Sequence, residues 1–182
     1  MTPEPVHESA ARAVQSFDAG DVAAICRERG WLPGGEGDAA AAWCAEAAAL
    51  LSPHAADREA LAGLLSLIFE YDAHAVLSRR EHHAVLAREG AREVLRALTI
   101  EILSGGEVDS DRLKQIVTKL KEKLPYHNRG IFFPLRMALA GRAGEGEMDR
   151  VILLVDRAAG TEGLAPVKTV RERILEFCAA LD

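Results

Sequence analysis

Asn128-Arg129-Gly130-Ile131-Phe132-Phe133-Pro134-Leu135-Arg136-Met137-Ala138-Leu139-Ala140-Gly141-Arg142 is the stretch on which the fold turns. A glycine turn leads into apolar residues and a proline, and the run stops at a second glycine. Pro134 suits the first position of a helix, where its missing N–H costs nothing. Gly141 suits the left-handed residue just past a helix end. The spacing therefore predicts a helix of about two turns, with Leu135 and Leu139 on one face and Arg136 pointing away from it. An arginine so placed offers a planar fork of donors to a phosphate or a base edge.

Working outward, the same helical grammar recurs. Upstream, Leu113, Ile116, Val117, Leu120 and Leu124 mark an amphipathic helix over 111–124, capped by Ser110, with Lys114, Lys119, Lys121 and Lys123 on its other faces. A helical stretch from about 80 to 103 precedes it and reads as one helix or as two broken at Gly90. Asp72–Ser78 is a short helix or turn. Asp57 caps a helix whose buried stripe is Leu61, Leu64, Leu65, Ile68 and Phe69, and Asp38 caps another through Leu51, ended by Ser52-Pro53. Residues 6–29 carry an apolar stripe interrupted at Gly20, and 30–38 form a loop. Downstream, helices are expected over 148–158 and 167–181. No segment alternates with a period of two, so the fold class is all-α, as one helical domain or two helical subdomains.

Composition agrees. About half of the 182 residues are apolar, alanine is abundant and aromatics are few, which favours helices over strands. No apolar run reaches the roughly 18 residues of a membrane span, and the N-terminal residues do not read as a signal peptide. Three widely spaced cysteines, Cys26, Cys44 and Cys178, fit a reducing cytoplasm. Charge is uneven. Residues 1–106 hold 9 Lys and Arg against 16 Asp and Glu, and residues 107–182 hold 13 against 12. RNA contact, if made, is local to the second half.

No constellation for catalysis stands out, and no cofactor is expected. Glu81-His82-His83 lacks metal-ligand spacing, since adjacent helical residues point about 100° apart; it reads as a surface histidine pair. Trp31 and Trp43 read as core fillers. Phe132 and Phe133 suit base stacking or core packing, with packing favoured, whereas Tyr126 and His127 read as exposed rings.

The order Gly130, Phe133-Pro134-Leu135-Arg136, Ala138-Leu139-Ala140-Gly141 resembles the turn and helix in the anticodon-binding region of bacterial glutamyl-tRNA synthetases. Ile68-Phe69-Glu70-Tyr71-Asp72, Glu93-Val94-Leu95-Arg96-Ala97-Leu98 and Val170–Leu181 resemble that region's neighbouring helices. The resemblance implies a multihelical cage over 57–182, with 1–56 as a connector-like segment, in a bacterial cytoplasm. No His-x-Gly-His and no Lys-Met-Ser-Lys-like motif accompanies it, so the family's ATP and glutamate chemistry is not carried over and a non-enzyme is expected. It implies tRNA or structured RNA as partner and no DNA, with Arg136 as the contact and Arg129, Arg142, Lys121 and Lys123 as a basic rim beside Tyr126 and His127. One departure weighs against this. The loop after the Arg136 helix reads Gly144-Glu145-Gly146-Glu147-Met148-Asp149, and its carboxylates repel phosphates. The alternative is a scaffold turned to protein interaction or regulation. A continuous positive patch joining Arg129, Arg136, Arg142 and Lys123 marks the first reading; Arg136 buried against Asp149 marks the second.

Overall fold

The computed structural model describes residues 16–35 and 37–181. Among them every regular element is a helix: α1 (Ala19–Glu28), α2 (Asp38–Leu51), a single 3-10 turn (Ser52–His54), α3 (Arg58–Phe69), α4 (Ala73–Ser78), α5 (Arg80–Leu86), α6 (Ala91–Leu103), α7 (Ser110–Lys123), α8 (Arg129–Ala140), α9 (Gly146–Ala159) and α10 (Val170–Leu181). The stripe residues Val6, Ala10, Ala13 and Val14 lie outside the described residues. The described residues of the segments 1–56 and 57–182 share one core: α1 and α2 pack on each other, α2 and α3 both pack on α9, and α6 and α10 pack on α8. Trp31 stacks on Phe69 with ring centroids 4.9 Å apart, and Trp43 meets the same ring edge-on at 5.6 Å.

Several helix ends depart from expectation for identifiable reasons. The 111–124 helix is capped by Asp109, whose carboxylate accepts from the Arg112 N–H at 2.8 Å, so Ser110 becomes its first residue. Asp38 likewise sits inside α2, behind Gly37 at the cap position. Gly20 lies within α1, where the Asp18–Asp21 capping box stabilises the first turn against the glycine. The last helix starts at Val170 and not at 167, because Thr169 and Glu172 form a capping box: the Thr169 hydroxyl accepts the Glu172 N–H at 3.2 Å and the Glu172 carboxylate takes the Thr169 N–H at 2.7 Å. The Asp156 carboxylate adds to this by taking the Val170 N–H at 2.7 Å while also holding the Val108 N–H at 2.8 Å. Gly90 does separate α5 from α6. Its φ is +82°, and a Cβ there would lie 2.1 Å from the Tyr126 ring, so the break admits an aromatic side chain that only glycine leaves room for.

The largest correction concerns α8. It begins at Arg129, five residues before Pro134, and Gly130 lies inside it. Asn128 enters the helix with φ +48° and ψ −120°, the one positive φ of a non-glycine residue among those described, a sparsely populated conformation that asparagine tolerates better than most residues. Pro134 therefore interrupts the second turn and forfeits one backbone bond, a loss of about 3 kcal/mol in an ordinary helix. Burial of α8 on nearly all sides offsets it: Ile131 and every residue from Pro134 to Ala140 are buried. Gly141 takes the expected left-handed conformation at φ +83°.

At the far end of α8 sits a polar hub that periodicity did not reveal. Arg173 is fully buried, and its guanidinium donates to the carbonyls of Leu67 (3.0 Å) and Ile68 at the end of α3, Leu139 (2.9 Å) at the end of α8, and Lys168 (3.1 Å). It lies 4.6 Å from the centroid of the Tyr71 ring, and the Tyr71 hydroxyl donates to the Ala138 carbonyl at 2.6 Å. Burial pulls the Arg173 pKa down to about 10, which leaves it charged at neutral pH. Tyr71 is pushed up, mainly by burial.

His82 is also buried, against the surface pair expected. Its Nδ1 lies 2.6 Å from the Val76 carbonyl, and its Nε2 accepts from the Ala143 N–H at 3.4 Å, which assigns the neutral Nδ1–H tautomer. Desolvation lowers its pKa, with Arg79 and Arg142 adding to the fall. His83 stays exposed. Among the described residues no three His, Cys, Asp or Glu side chains are grouped to hold a metal, and no helix is long and apolar enough to cross a membrane.

Two predictions follow from these buried groups. Arg173→Met strands several buried carbonyls, each costing about 1–3 kcal/mol, so urea unfolding should show at least about 3 kcal/mol lost; Arg173→Lys, lacking the fork, should recover only part. His82 has a folded pKa below its unfolded value of 6.5. Its contribution is present above pH 6.5 and lost as pH falls through the folded pKa. Unfolding curves between pH 7 and 5 should be flatter for His82→Gln than for the parent, and equal slopes would refute the assignment.

Candidate nucleic-acid interface

The sequence-predicted residues meet around the turn from α7 to α8, but not as a bare positive patch. Arg136 is 7% exposed. Its Nε donates to Asp149 Oδ1 at 2.8 Å, Nη2 to Asp149 Oδ2 at 2.7 Å, and Nη1 to the Gly144 carbonyl at 3.0 Å. It does not point away from the core, because α8 starts a turn and a half earlier than its proline implied and Asp149 on α9 lies within reach. Arg129 pairs with Glu145 at 3.4 Å, and the same carboxylate lies 3.8 Å from Arg136. Acidic residues expected to repel phosphate are thus engaged with the arginines.

The rings carry most of what remains open. Phe132 is half-buried, with the Arg136 guanidinium 4.7 Å from its centroid and the Lys121 ammonium at 5.3 Å. Phe133, also half-buried, has Arg88 and Arg129 each at 5.5 Å. Each ring is held between two cations, an arrangement that favours charge next to a π-face. Tyr126 is half-buried rather than fully exposed. It lies over Gly90 and donates to Glu93 at 2.9 Å, and that bond, ahead of burial, raises its pKa. His127 is exposed.

Two of the expected cations turn elsewhere. Lys123 binds Glu101 Oε1 at 2.7 Å while Lys119 binds Oε2 at 2.9 Å, and together they hold the buried Glu101 carboxylate below its usual range. Arg142 is exposed just past α8 and contributes to the field at His82. The patch joining Arg129, Arg136, Arg142 and Lys123 is therefore not formed; Arg136 buried against Asp149 is.

Beside Phe132 runs a groove of about 450 Å³ between α7 and α9. Leu113, Val117 and Leu153 line it, with Lys114, Lys121 and Arg150 around them. Sequence reading named Lys121 as a contact, set Lys114 only on a polar helix face, and passed over Arg150 and Arg88. Lys114 had a visible signal, since it and Lys121 are two helical turns apart and share a face. Arg88 and Arg150 come from other segments, and their convergence is tertiary.

Cys26 and Cys44 are buried against each other between α1 and α2, and hydrogen bonding between them, together with burial, drives the Cys26 thiol pKa upward.

The sequence matches the family model described as the anticodon binding domain over residues 12–158. No curated protein and no solved structure matches. With the family model spanning well over half of the chain, and every regular element described within it a helix, the chain belongs to the anticodon binding domain family.

Proposed function

We propose that the chain binds structured RNA, transfer RNA first, through the face formed by α7, the α7–α8 turn and the first turns of α8, and performs no chemistry on it. Family membership over residues 12–158 is the observation that carries this reading. The likeness of Phe133–Arg136 and Ala138–Gly141 to glutamyl-tRNA synthetases supports a common origin with those enzymes and a bacterial cytoplasmic setting. Single-stranded RNA is held by stacking on aromatic or guanidinium planes and by neutralised phosphates. Phe132 and Phe133 supply the stacking planes. Lys121, Arg129 and the groove cations Lys114 and Arg150 supply the charge, with Arg142, Tyr126 and His127 at the margins. Lys123, tied to Glu101, serves through its field alone. Arg136 is a positioning residue: its fork is spent on Asp149 and Gly144, and its plane holds the Phe132 ring.

A second reading has one specific observation in its favour. The central cations are already neutralised by Asp149 and Glu145, and the chain carries a net charge of −6. On that reading the scaffold is a protein-interaction or regulatory module.

Binding to total tRNA across a salt series separates them. Saturable binding that weakens with salt is expected, and Lys121→Ala should flatten the logarithmic salt slope by about 0.7–0.9 for the phosphate it neutralises. Phe132→Ala should weaken binding by about 5- to 160-fold, the equivalent of about 1–3 kcal/mol per stacked base. Absence of saturable binding at low salt would leave the second reading standing.

Asp149 gives a test with opposite signs. Asp149→Asn makes the face more positive yet breaks the clamp on Arg136, so affinity should fall, and the double variant with Arg136→Ala should be no weaker than Arg136→Ala alone. A gain in affinity for Asp149→Asn would show that the carboxylate acts only by repulsion.

A further inference from the structure

We infer that the seam between α6 and α10 is a docking groove for an acidic amphipathic helix on a partner protein. Among the described residues the large apolar side chains most open to solvent are Ile100, 64% exposed, and Leu175, 46% exposed. They sit on two packed helices that run antiparallel. Arg171 Nη1 donates to the Leu103 carbonyl at 3.1 Å, and Thr99 Oγ1 lies 3.4 Å from Cys178 Sγ, so residue numbers rise along α6 as they fall along α10. That register puts Ile100 and Leu175 at one level. From Ile100 a groove of about 440 Å³ continues past Cys178 to Leu181, with Arg92 and Arg96 on its rim.

The charge around this seam is one-sided. No carboxylate lines the groove among the described residues. Every carboxylate on the two helices is engaged elsewhere: Glu93 with the Tyr126 hydroxyl, Glu101 with Lys119 and Lys123, Glu172 with Thr169, and Glu176 with Lys168 and the Ala73 N–H. Arg92 and Arg96 form no ion pair among the described residues. The result is an aliphatic strip framed by unneutralised arginines on a chain that is acidic overall.

This combination selects its occupant. An amphipathic helix lays apolar residues at i, i+3 or i+4 and i+7 into such a groove, and flanking Asp or Glu would meet the arginines. From Arg92 to Leu103 the seam is about 16 Å long at 1.5 Å per residue, the length of three helical turns. A second copy of this chain would set Arg92, Arg96 and Arg171 against the same cations with no carboxylate to receive them, a juxtaposition that disfavours pairing. RNA finds no aromatic plane here on which to stack. The inference does not rest on RNA binding by the Phe132 face, which lies on other helices.

The test uses a fluorescein-labelled peptide with leucines at helical spacing and glutamates on both flanks, and a twin with lysine in place of each glutamate. Fluorescence polarisation should show micromolar binding of the acidic peptide and at least about tenfold weaker binding of the twin. Ile100→Asp and Leu175→Asp should each abolish binding with little change in the thermal midpoint, because about half or more of each residue is already solvated. Arg96→Glu should weaken the acidic peptide and strengthen the lysine twin, and none of the three should alter tRNA binding. Equal binding of the two peptides, or none, would overturn the proposal. So would sedimentation showing a dimer of the chain that Ile100→Asp dissolves, or tRNA binding that Arg92→Glu removes and Ile100→Asp leaves intact.

Discussion

A buried guanidinium that bonds backbone carbonyls, with the Asp156 and Glu176 carboxylates near it, holds this helical array together. The last turn of an α-helix leaves carbonyls without intrahelical donors and carries a partial negative charge. The C-terminal ends of α3 and α8 both reach the interior, where water cannot satisfy them. Arg173 resolves both at once by donating to Leu67, Ile68 and Leu139, while the Tyr71 ring gives its cation a π-face. A lysine has neither the planar spread nor the number of donors to do this. Two helix ends, the ring and the nearby Asp156 and Glu176 carboxylates offset the cost of burying the charge, while burial still pulls the pKa down to about 10. Around the hub, Lys168 ties the Tyr71 carbonyl to Glu176, and Glu176 in turn takes the Ala73 N–H. Thus α3, α4, α8 and α10 are joined by one polar cluster inside an apolar core.

This hub also shows where sequence reading runs out. Period and caps exposed the helices well, because apolar stripes and residues such as Asp57 and Gly141 act within a few positions of where they stand. Arg173 lies more than a hundred residues from Leu67, and a period-based reading files it as a polar position on a surface. His82 was missed in the same way. Asp156 was too, although it steadies the first turn of α10 and the chain before α7 by taking one N–H from each. In each case a polar residue is buried because several backbone groups converge on it, and that convergence is tertiary.

The error at α8 has a different source. Pro134 fits the start of a helix so well that the preceding residues read as a turn, yet the helix forms through it because burial along α8 outweighs one missing bond. Moving the start from Pro134 to Arg129 carries Phe132 and Phe133 from a loop onto a helix and places them above Arg136 and Arg129. Recognition of the family came from the order of residues around Pro134. The orientation of Arg136 did not, since it depends on Asp149 thirteen positions later.

With both ends of α8 held, by Arg173 and Gly141 at one side and by the strained entry at Asn128 on the other, the clamp of Arg136 on Asp149 sets how α8 meets α9. That clamp is bidentate and mostly shielded from solvent, so it resists competition by salt better than an exposed pair. The exposed pair of Arg129 with Glu145 lacks this protection, and a polyanion can displace its carboxylate. A division of labour results within one motif. The inner arginine gives up its fork to fix the Phe132 ring, and the outer cations Arg129, Lys121 and Arg88 keep charge that can be exchanged. On the proposed function, an acidic chain presents a local face suited to RNA without a basic surplus overall, because the carboxylates nearest that face are consumed in building it.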